Sequence, residues 1–443
     1  MNATADCFQY STLVAPSPTS GPTAMSYDDS SPRNAYFADP VLHQIVRIAS
    51  GAATRYGSVQ GFIGDGQPLS QTTTNFNSPS DILFASALGQ FVYILDSGNH
   101  CIRRFAISAT ASLQILGTFA GTCGSNVSFQ LPQAFASHSN RIFVADTGNH
   151  VIVEVDSTGG IVGTRAGQKG IVGSLDLDGP ASTFTSPAGL AIDAVNSIAY
   201  ISSYSTNTIR TMSLNANFAV RTVAGTGAVG LLDGAARAVA QFAAPRRLAF
   251  SAFHGLLFVA DSQNNRIRAF NVSLQAVSTV AGGATANTFA PGASVDDMRL
   301  VAFNAPQGVY VDSVTNTVFA LAAGNALVTS IAATSVVCTS GTYCPAGSTA
   351  ALACPAASYC ARPSSIAVCE TGSYCSTGTT SRAGSGPCNT GFYCPAGSSS
   401  PKQIACVAGY FCANGSVFNT RGAVDGQGMD CFFVFQLLEF SYC

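Results

Sequence analysis

The stretch FVYILDSGNHCIRR, residues 91–104, decides the fold, because its pattern recurs along the chain. An apolar segment runs into Asp96, a polar turn follows, and a second β-prone segment leaves through Ile102. We number the copies in chain order as repeats 1 to 6: AYFADPVLHQIVRI (35–48), FVYILDSGNHCIRR (91–104), IFVADTGNHVIVEV (142–155), AYISSYSTNTIRTM (199–212), LFVADSQNNRIRAF (257–270) and VFALAAGNALVTSI (318–331).

The position held by Asp96 recurs at steps of 57, 50, 57, 58 and 61 residues. Its occupants are Asp39, Asp96, Asp146, Ser203, Asp261 and Ala322. Four short strands with their loops need roughly 40–50 residues, so this period predicts propeller blades. We therefore predict an all-β chain with a six-bladed β-propeller over 22–337, each blade having four strands.

A proline precedes each marker position by 14 to 17 residues and suits the first residue of a strand, where no ladder donor is lost. These prolines are Pro22, Pro79, Pro132, Pro187, Pro245 and Pro306. A carboxylate at the marker position can accept backbone N–H bonds from the turn that follows it, as in an Asx-type turn. We expect this turn role for the marker aspartates.

The segments DSGNHCIRR (96–104), DTGNHVIVEV (146–155) and DSQNNRIRAF (261–270) resemble the NHL repeat. Repeats 4 and 6 depart from that pattern, with Ser203 in one and Ala322 and Ala323 in the other. The resemblance implies a β-propeller, commonly with six blades.

A closed ring leaves no open sheet edge, so one blade must combine both ends of the propeller segment. Within the N-terminal segment 1–21, YSTLVAP (10–16) is similar to VSTVAGG (277–283). We predict that residues 10–15 form the outer strand of blade 6; residues 334–337 are the competing candidate.

A cysteine-rich stalk is predicted over 338–418, because five C-x5-C units follow one another with an aromatic residue before the second cysteine. The cysteines are Cys338, Cys344, Cys354, Cys360, Cys369, Cys375, Cys388, Cys394, Cys406 and Cys412. Such short units cannot bury a core, which favours disulfides, although spacing does not give their connectivity. Zinc sites usually use C-x2–4-C, and the array contains no histidine. The repeated CPAGS resembles ephrin-receptor-like modules of ectodomains.

The cysteine count indicates an oxidising compartment, and four N-x-Ser/Thr sequons begin at Asn2, Asn126, Asn271 and Asn414. We therefore predict an extracellular or cell-surface glycoprotein. Residues 1–21 show no signal peptide, so either the natural start lies upstream, which we favour, or the prediction of an oxidising compartment is wrong. No apolar window is long enough to span a bilayer, and 419–443 stays an unassigned tail with the character of a truncated end.

Only 9% of the residues are charged, and the net charge is −2, so nucleic acid is not a predicted partner. Equivalent turn positions hold His43, His100 and His150. With strands about 4.8 Å apart, such turns lie roughly 12 Å from the ring axis, too far apart to share one zinc ion.

The resemblance places the metal ligands of the family's amidating lyase just after the blade prolines. Those positions hold Ser80, Gln133, Ala188, Arg246 and Gln307, and none is a histidine. We predict no metal and no cofactor. Asp193 and Asp312 are the inner-strand candidates for calcium, with a turn role preferred.

Arg246 and Arg247 are the predicted ligand-binding residues, because two adjacent arginines near the channel mouth suit a carboxylate or another anion. The alternative is one solvated arginine and one arginine between blades. Cys101 and Cys123 either pair or stay as two buried thiols.

These features predict a non-enzymatic binding module whose loop face contacts a protein, peptide or glycan. Two alternatives stay open: a metal-dependent lyase or hydrolase in the channel, and a structural spacer of a larger surface protein.

Overall fold

The computed structural model divides into two compact units, Gln9–Ala333 and a second unit of Thr334–Cys443 with Met1–Phe8. The residues it describes are 7–13, 21–30, 33–50, 52–57, 59–62, 65–66, 74–107, 117–215, 217–282, 303–325, 327–334, 342–343, 352–354, 356–362, 365–406, 410–412, 414, 420–421, 423–424 and 430–431.

The first unit consists of antiparallel sheets whose strands follow one another in the chain. Sheet 1 contains β2 (Ala24–Tyr27), β3 (Ala35–Asp39), β4 (Gln44–Ala49) and β5 (Ala52–Tyr56), and sheet 2 contains β6 (Pro79–Phe84), β7 (Phe91–Asp96), β8 (Cys101–Ala106) and β9 (Gly117–Gly121). Sheet 3 contains β10 (Ala134–His138), β11 (Arg141–Asp146), β12 (Val151–Asp156) and β13 (Ile161–Ala166), and sheet 4 contains β14 (Pro187–Asp193), β15 (Ile198–Ser203), β16 (Thr208–Ser213) and β17 (Val220–Ala224).

The two remaining sheets depart from this simple order. Sheet 5 contains β18 (Gly234–Ala235), β19 (Pro245–Ser251), β20 (Leu256–Asp261), β21 (Arg266–Asn271) and β22 (Ala276–Ala281), and sheet 6 contains β1 (Cys7–Leu13), β23 (Pro306–Val311), β24 (Val318–Ala322) and β25 (Leu327–Thr334). In sheet 6 the outer strand beside β25 is β1, which overlaps the segment 10–15 expected there. Thr334 ends β25, and residues 335–337 lie outside the described residues.

The prediction of six four-stranded blades needs a correction. Among the described residues, five sheets have four strands, and the remaining repeat forms the five-stranded sheet 5. Its added strand β18 comes from the loop after sheet 4 and pairs with the outer strand at Val277 and Ala276. The period of the marker positions does not reveal such a pairing, because it is made by two loop residues.

The sheets form a ring, since the inner strands contact one another in the order β2, β6, β10, β14, β19 and β23, and β23 returns to β2. Apolar clusters fill the spaces between adjacent sheets; one of them joins Tyr36 of sheet 1 to Ile94 of sheet 2. This arrangement is that of a β-propeller, and the all-β prediction is confirmed. Four of the inner strands begin at the predicted proline.

Three of the marker aspartates accept a backbone N–H from the loop that enters their own sheet, not from the turn that follows them. The N–H of Asn77, Gln130 and Ala243, each two residues before a proline, donates to the marker carboxylate at 2.8, 2.7 and 2.8 Å. The acceptors are Asp96, Asp146 and Asp261. The expected Asx-type turn is found at Asp39, which accepts from the N–H of Val41 and Leu42. For the other three, the Asx prediction is wrong.

The turn histidines connect one sheet to the next. The Nδ1 atoms of His43, His100 and His150 accept the N–H of the residue just before the next proline at 3.0, 3.1 and 3.2 Å. Asn207 and Asn265 do the same with their side-chain oxygens. All five residues have left-handed backbone, with φ between 53° and 63°. Asparagine and histidine tolerate this conformation better than most residues, and both carry an acceptor.

Three fully buried arginines fasten the long inter-sheet loops to the third and fourth strands. Arg103, Arg210 and Arg268 form ion pairs with loop aspartates at 2.9, 2.8 and 2.7 Å. Those aspartates are Asp65, Asp176 and Asp233, and each accepts the N–H of a threonine in the fourth strand of the same sheet. The Asp-Gly loops that separate the repeats are therefore held onto the sheets that they precede.

The second unit consists of two-stranded ladders. They pair β26 (Thr342–Tyr343) with β27 (Leu352–Ala353), β28 (Ser358–Arg362) with β29 (Ser365–Val368), β30 (Ser373–Tyr374) with β31 (Gly386–Pro387), β32 (Phe392–Tyr393) with β33 (Ile404–Ala405), β34 (Tyr410–Phe411) with β35 (Thr420–Arg421), and β36 (Ala423–Val424) with β37 (Asp430–Cys431).

Disulfides close the C-x5-C units of this second unit. The bonds Cys369–Cys375, Cys388–Cys394 and Cys406–Cys412 join cysteines of one unit, with Cα atoms 6.0, 5.9 and 6.1 Å apart. Cys354 is also disulfide-bonded, whereas Cys338 and Cys344 lie outside the described residues. Disulfide bonding is thus confirmed for Cys354 and for the three units from Cys369 to Cys412. Cys101 of β8 is bonded to Cys123, which lies two residues after the end of β9.

None of the helices in the described ranges has the length and apolar character needed to cross a bilayer.

Candidate functional site at the mouth of the ring

A cavity of about 430 Å³ lies at the centre of the ring, where the residues directly after the six prolines converge. These residues are Thr23, Ser80, Gln133, Ala188, Arg246 and Gln307. Marker-turn residues such as Ser97 and the loop residue Leu131 also line it, so it opens on the face that carries the long loops. The size lies within the range of small-molecule sites, roughly 300–1,000 Å³.

Bulges in the inner strands aim consecutive side chains at this cavity. The register between inner and second strands shifts between Pro245 and Leu248 in sheet 5, and between Pro79 and Asp81 in sheet 2. A bulge re-aims the side chains near it and so breaks the strict alternation of a strand. This explains why Arg246 and Arg247, although adjacent in sequence, both line the cavity.

Arg247 is committed to an ion pair with Asp81, and its guanidinium also donates to the carbonyl oxygen of Ser80. Sheets 2 and 5 are separated by two sheets in either direction around the ring, so this ion pair crosses the channel. The N–H groups of Phe135 and Ile82 donate to Asp81 as well, both at 2.9 Å. Burial raises the pKa of the Asp81 carboxyl, while the charge of Arg247 acts in the opposite direction.

Arg246 keeps its hydrogen-bonding capacity. It is half-buried, and its guanidinium lies over the ring of Tyr204, with Cζ 4.7 Å from the ring centroid. Its backbone carbonyl accepts a bond from the Ser202 hydroxyl. No carboxylate in the described ranges forms an ion pair with Arg246. The two arginines are therefore not equivalent anion-binding groups, because the guanidinium N–H donors of Arg247 already bond to Asp81 and to the carbonyl of Ser80.

The other residues considered from the sequence have structural partners. His43, His100 and His150 lie in three different sheets, and each uses Nδ1 for a backbone N–H. Asp193 accepts the N–H groups of Val195 and Asn196 in the turn after β14, both at 3.1 Å. Asp312 accepts from Arg33 at 2.7 Å and from the N–H of Val314 at 3.1 Å. Within the described ranges, no three His, Cys, Asp or Glu side chains are placed to hold one metal ion.

The pairing of Asp81 with Arg247 was not found from the sequence. Both residues stand two positions after a blade proline, in the second and fifth of the predicted repeats. In a ring of six, the second and fifth repeats face each other across the channel, so an aspartate in one and an arginine in the other at the same position indicate an ion pair. Alignment of the repeats on their prolines, instead of on their marker turns, brings these two residues to the same position.

No protein-family model matches the chain, and no curated protein matches it by sequence. The fold is similar to that of solved structures. An auxiliary nutrient binding protein from Bacteroides thetaiotaomicron aligns with a TM-score of 0.52 and 14% identity, over 74% of this chain and 76% of that one. A protein of the same description from Bacteroides ovatus has a TM-score of 0.52 and 16% identity, over 74% and 77% of the two chains.

A virginiamycin B lyase from Staphylococcus aureus also aligns, with a TM-score of 0.45 and 12% identity, over 74% of this chain and all of that one. At these identities the two nutrient binding proteins share the propeller fold with this chain, and the likeness extends no further.

Proposed function

We propose that this chain is a non-enzymatic binding module, which takes a peptide, protein or glycan ligand in the cavity at the mouth of the ring. The observation that carries the proposal is the convergence of six equivalent residues on one cavity that contains the half-buried guanidinium of Arg246. A concave site with a few convergent polar groups is the usual form of a small-ligand site. The nutrient-binding description of two structures with this fold is consistent with it.

The ion pair of Asp81 with Arg247 supports the proposal, because it crosses the channel and reduces the cavity to a pocket that is entered from the loop face. Buried charges of this kind are costly to leave unpaired, so the pair stays closed when a ligand enters. Arg246 is then the charge that meets the ligand.

We further propose that the ring is a six-bladed propeller of NHL type, with sheet 5 as the blade that carries an added strand. The disulfide-bonded repeats after Thr334 serve as the stalk of an extracellular or cell-surface protein. Alkylation of the unreduced protein, followed by mass spectrometry, tests this compartment. We expect the C-x5-C cysteines to resist labelling; free thiols throughout that region would contradict an extracellular location.

The binding proposal is tested with labelled full-length chain on glycan and peptide arrays. Gln307→Phe places a ring in the cavity, whereas Val195→Phe changes a turn residue that is 82% exposed and outside the cavity lining. We expect the wild-type protein and Val195→Phe to retain the same ligands, and Gln307→Phe to lose them. Unfolding curves of all three proteins verify that each is folded. Identical ligand sets for all three would contradict the proposal.

A further inference from the structure

We infer that the ligand of this cavity carries one carboxylate and several hydroxyl groups, which is the chemistry of an acidic sugar such as a hexuronate. This inference rests on the proposed function and names the ligand class of the same site. It follows from the charge of the cavity, from its unused polar side chains and from its size.

The net charge available to a ligand in the cavity is that of one guanidinium group. Arg246 and Arg247 are the charged residues of its lining, and the charge of Arg247 is compensated by Asp81. A single guanidinium binds a planar carboxylate through two parallel N–H···O bonds. A phosphate monoester, with a second pKa of about 6, carries a second negative charge at pH 7, and this charge would stay uncompensated in a half-buried cavity. The charge balance of the cavity therefore favours a ligand with a single negative charge.

The unused polar groups suit hydroxyls. The side-chain amides of Gln133 and Gln307 line the cavity half-buried, and neither makes a hydrogen bond with any side chain or backbone group among the described residues. An amide offers both donors and an acceptor, as a hydroxyl group requires. Gln133 directly precedes the inner strand of sheet 3, and Gln307 lies in the inner strand of sheet 6, on the opposite side of the ring. A ligand anchored at Arg246 would meet an amide on each side.

Of the other polar side chains of the lining, the Ser78 hydroxyl also makes no hydrogen bond among the described residues, and most of the rest are already engaged. The main recognition elements are therefore Arg246, Gln133 and Gln307, with the Ser78 hydroxyl as a further group for a sugar hydroxyl. The Thr23 hydroxyl donates to the carbonyl of Ser80 at 3.2 Å, and Gln60 donates to Asn77 at 2.9 Å. The methyl group of Ala188 leaves a non-polar gap between Gln133 and Arg246, where a larger side chain would fill the cavity. At about 430 Å³ the cavity has room for one or two sugar rings.

Calorimetry with the full-length chain tests the inference, with methyl β-D-glucuronide, methyl β-D-glucoside and inorganic phosphate as probes. We expect the glucuronide to bind at least about 10-fold more tightly than the glucoside, because a charge-assisted hydrogen bond is roughly twice as strong as a neutral one. Arg246→Gln should weaken glucuronide binding by about 10-fold to 100-fold and leave the glucoside unaffected. Arg246→Lys should give an intermediate loss, since it keeps the charge but not the two parallel donors.

Four results would each overturn the inference. They are equal affinity for the glucoside and the glucuronide, tighter binding of phosphate than of the glucuronide, no binding of the glucuronide, and an Arg246→Gln variant that binds as the wild type does. If Gln307→Phe still abolishes array binding in those cases, the cavity remains a binding site and only the ligand class is wrong. If Gln307→Phe changes nothing on the arrays, the proposed function fails as well. Arg246 has no ion pair among the described residues, and its substitution removes mainly the contact with the Tyr204 ring, so the urea midpoints of its variants should fall only slightly below that of the wild type.

Discussion

Sheets 4 and 5 are neighbours in the ring and differ at the marker position of the repeat. In sheet 5, Asp261 accepts bonds from Arg268, from Asn264 and from the N–H of Ala243, all at 2.8 Å. In sheet 4 the equivalent residue is Ser203, which is 1% exposed and whose hydroxyl makes no hydrogen bond within the described part of the chain. The four strands that begin with the inner strand nevertheless follow the same order in both sheets, and sheet 5 adds β18 at its outer edge.

The shared part of the two networks explains why sheet 4 keeps its fold. Arg210 donates to the carbonyls of Thr183 and Leu175 and pairs with Asp176 at 2.8 Å. Arg268 makes the equivalent bonds to Gln241, Leu232 and Asp233 in sheet 5. The arginine and its loop aspartate therefore fasten the loop in both sheets, and the marker aspartate adds a second attachment in sheet 5.

Removal of the marker carboxylate should affect sheet 5 most. Asp261→Ala leaves Arg268 with one carboxylate and Ala243 with a buried N–H, so we expect a loss of about 3 kcal/mol in the free energy of unfolding. Ser203→Ala is the matched control in sheet 4 and should change stability by less than about 0.5 kcal/mol. Urea unfolding measures both. Equal losses would mean that the marker position does not distinguish the sheets.

Sheet 3 offers a marker carboxylate without an arginine, since Val153 stands where sheets 2, 4 and 5 have Arg. Burial raises the pKa of Asp146 to about 6, against the bonds from Asn149 and Gln130 that lower it. Because the folded pKa is raised, the contribution of this carboxyl to stability is full below about pH 4 and is lost as the pH rises through about 6.

Asp146→Asn should therefore match the wild type near pH 4 and exceed its free energy of unfolding at pH 7 by on the order of 2 kcal/mol. The Asn149 amide can rotate to offer its oxygen to the new amide. Urea unfolding of both proteins at the two pH values gives the difference. A pH-independent difference would show that the Asp146 carboxyl is not titrating in this range.

The bond between neighbouring sheets can be tested at the histidine position. His150→Ala removes the acceptor for the N–H of Ser186, and we expect a loss of about 1–2 kcal/mol in unfolding free energy. His150→Asn should stay within about 0.5 kcal/mol of the wild type, because Asn207 and Asn265 perform this role in sheets 4 and 5. Thermal unfolding ranks the three proteins. If His150→Asn were as destabilising as His150→Ala, the acceptor would not be what the position requires.

Restoring the missing carboxylate should bring sheet 4 closer to sheet 5. By analogy with the pair of Asp261 and Arg268 in sheet 5, we expect the new side chain of Ser203→Asp to reach the guanidinium of Arg210, which is fully buried. We expect a gain of about 1 kcal/mol, smaller than the loss from Asp261→Ala because the new charge must also be desolvated. Urea unfolding of the variant measures the change in the free energy of unfolding. A loss of stability would show that the side chains around position 203 leave no room for a carboxylate.

Much of the fold was predictable because the chain repeats it. Each copy carries its own turn and strand signals, so the errors of a single segment average out over the repeats. The C-x5-C spacing likewise indicated disulfides before any pairing was known. The fifth strand of sheet 5 was missed, since Gly234 and Ala235 carry no strand signal and pair through their backbone alone.

The candidate site was predictable in part. The sequence indicated Arg246 and Arg247 because charged residues are scarce in this chain, but it gave no reason to predict different roles for the two residues. Their different roles depend on Asp81, which lies 166 positions from Arg247 and across the channel. Asp96, Asp146 and Asp261 were assigned to the wrong turn for a related reason: their backbone N–H donors are 16 to 19 residues upstream, beyond the reach of a local turn rule.

The sequence by itself determined the repeated sheet, the proline that opens each inner strand, and the sulfur-rich segment, since each is specified by residues that are neighbours in the chain. Only the tertiary structure decided which arginine is neutralised, which groups the buried aspartates hold, and that six scattered residues share one cavity. Closure of the ring brings those groups together, and the free energy of a buried charge depends on the partners that closure provides.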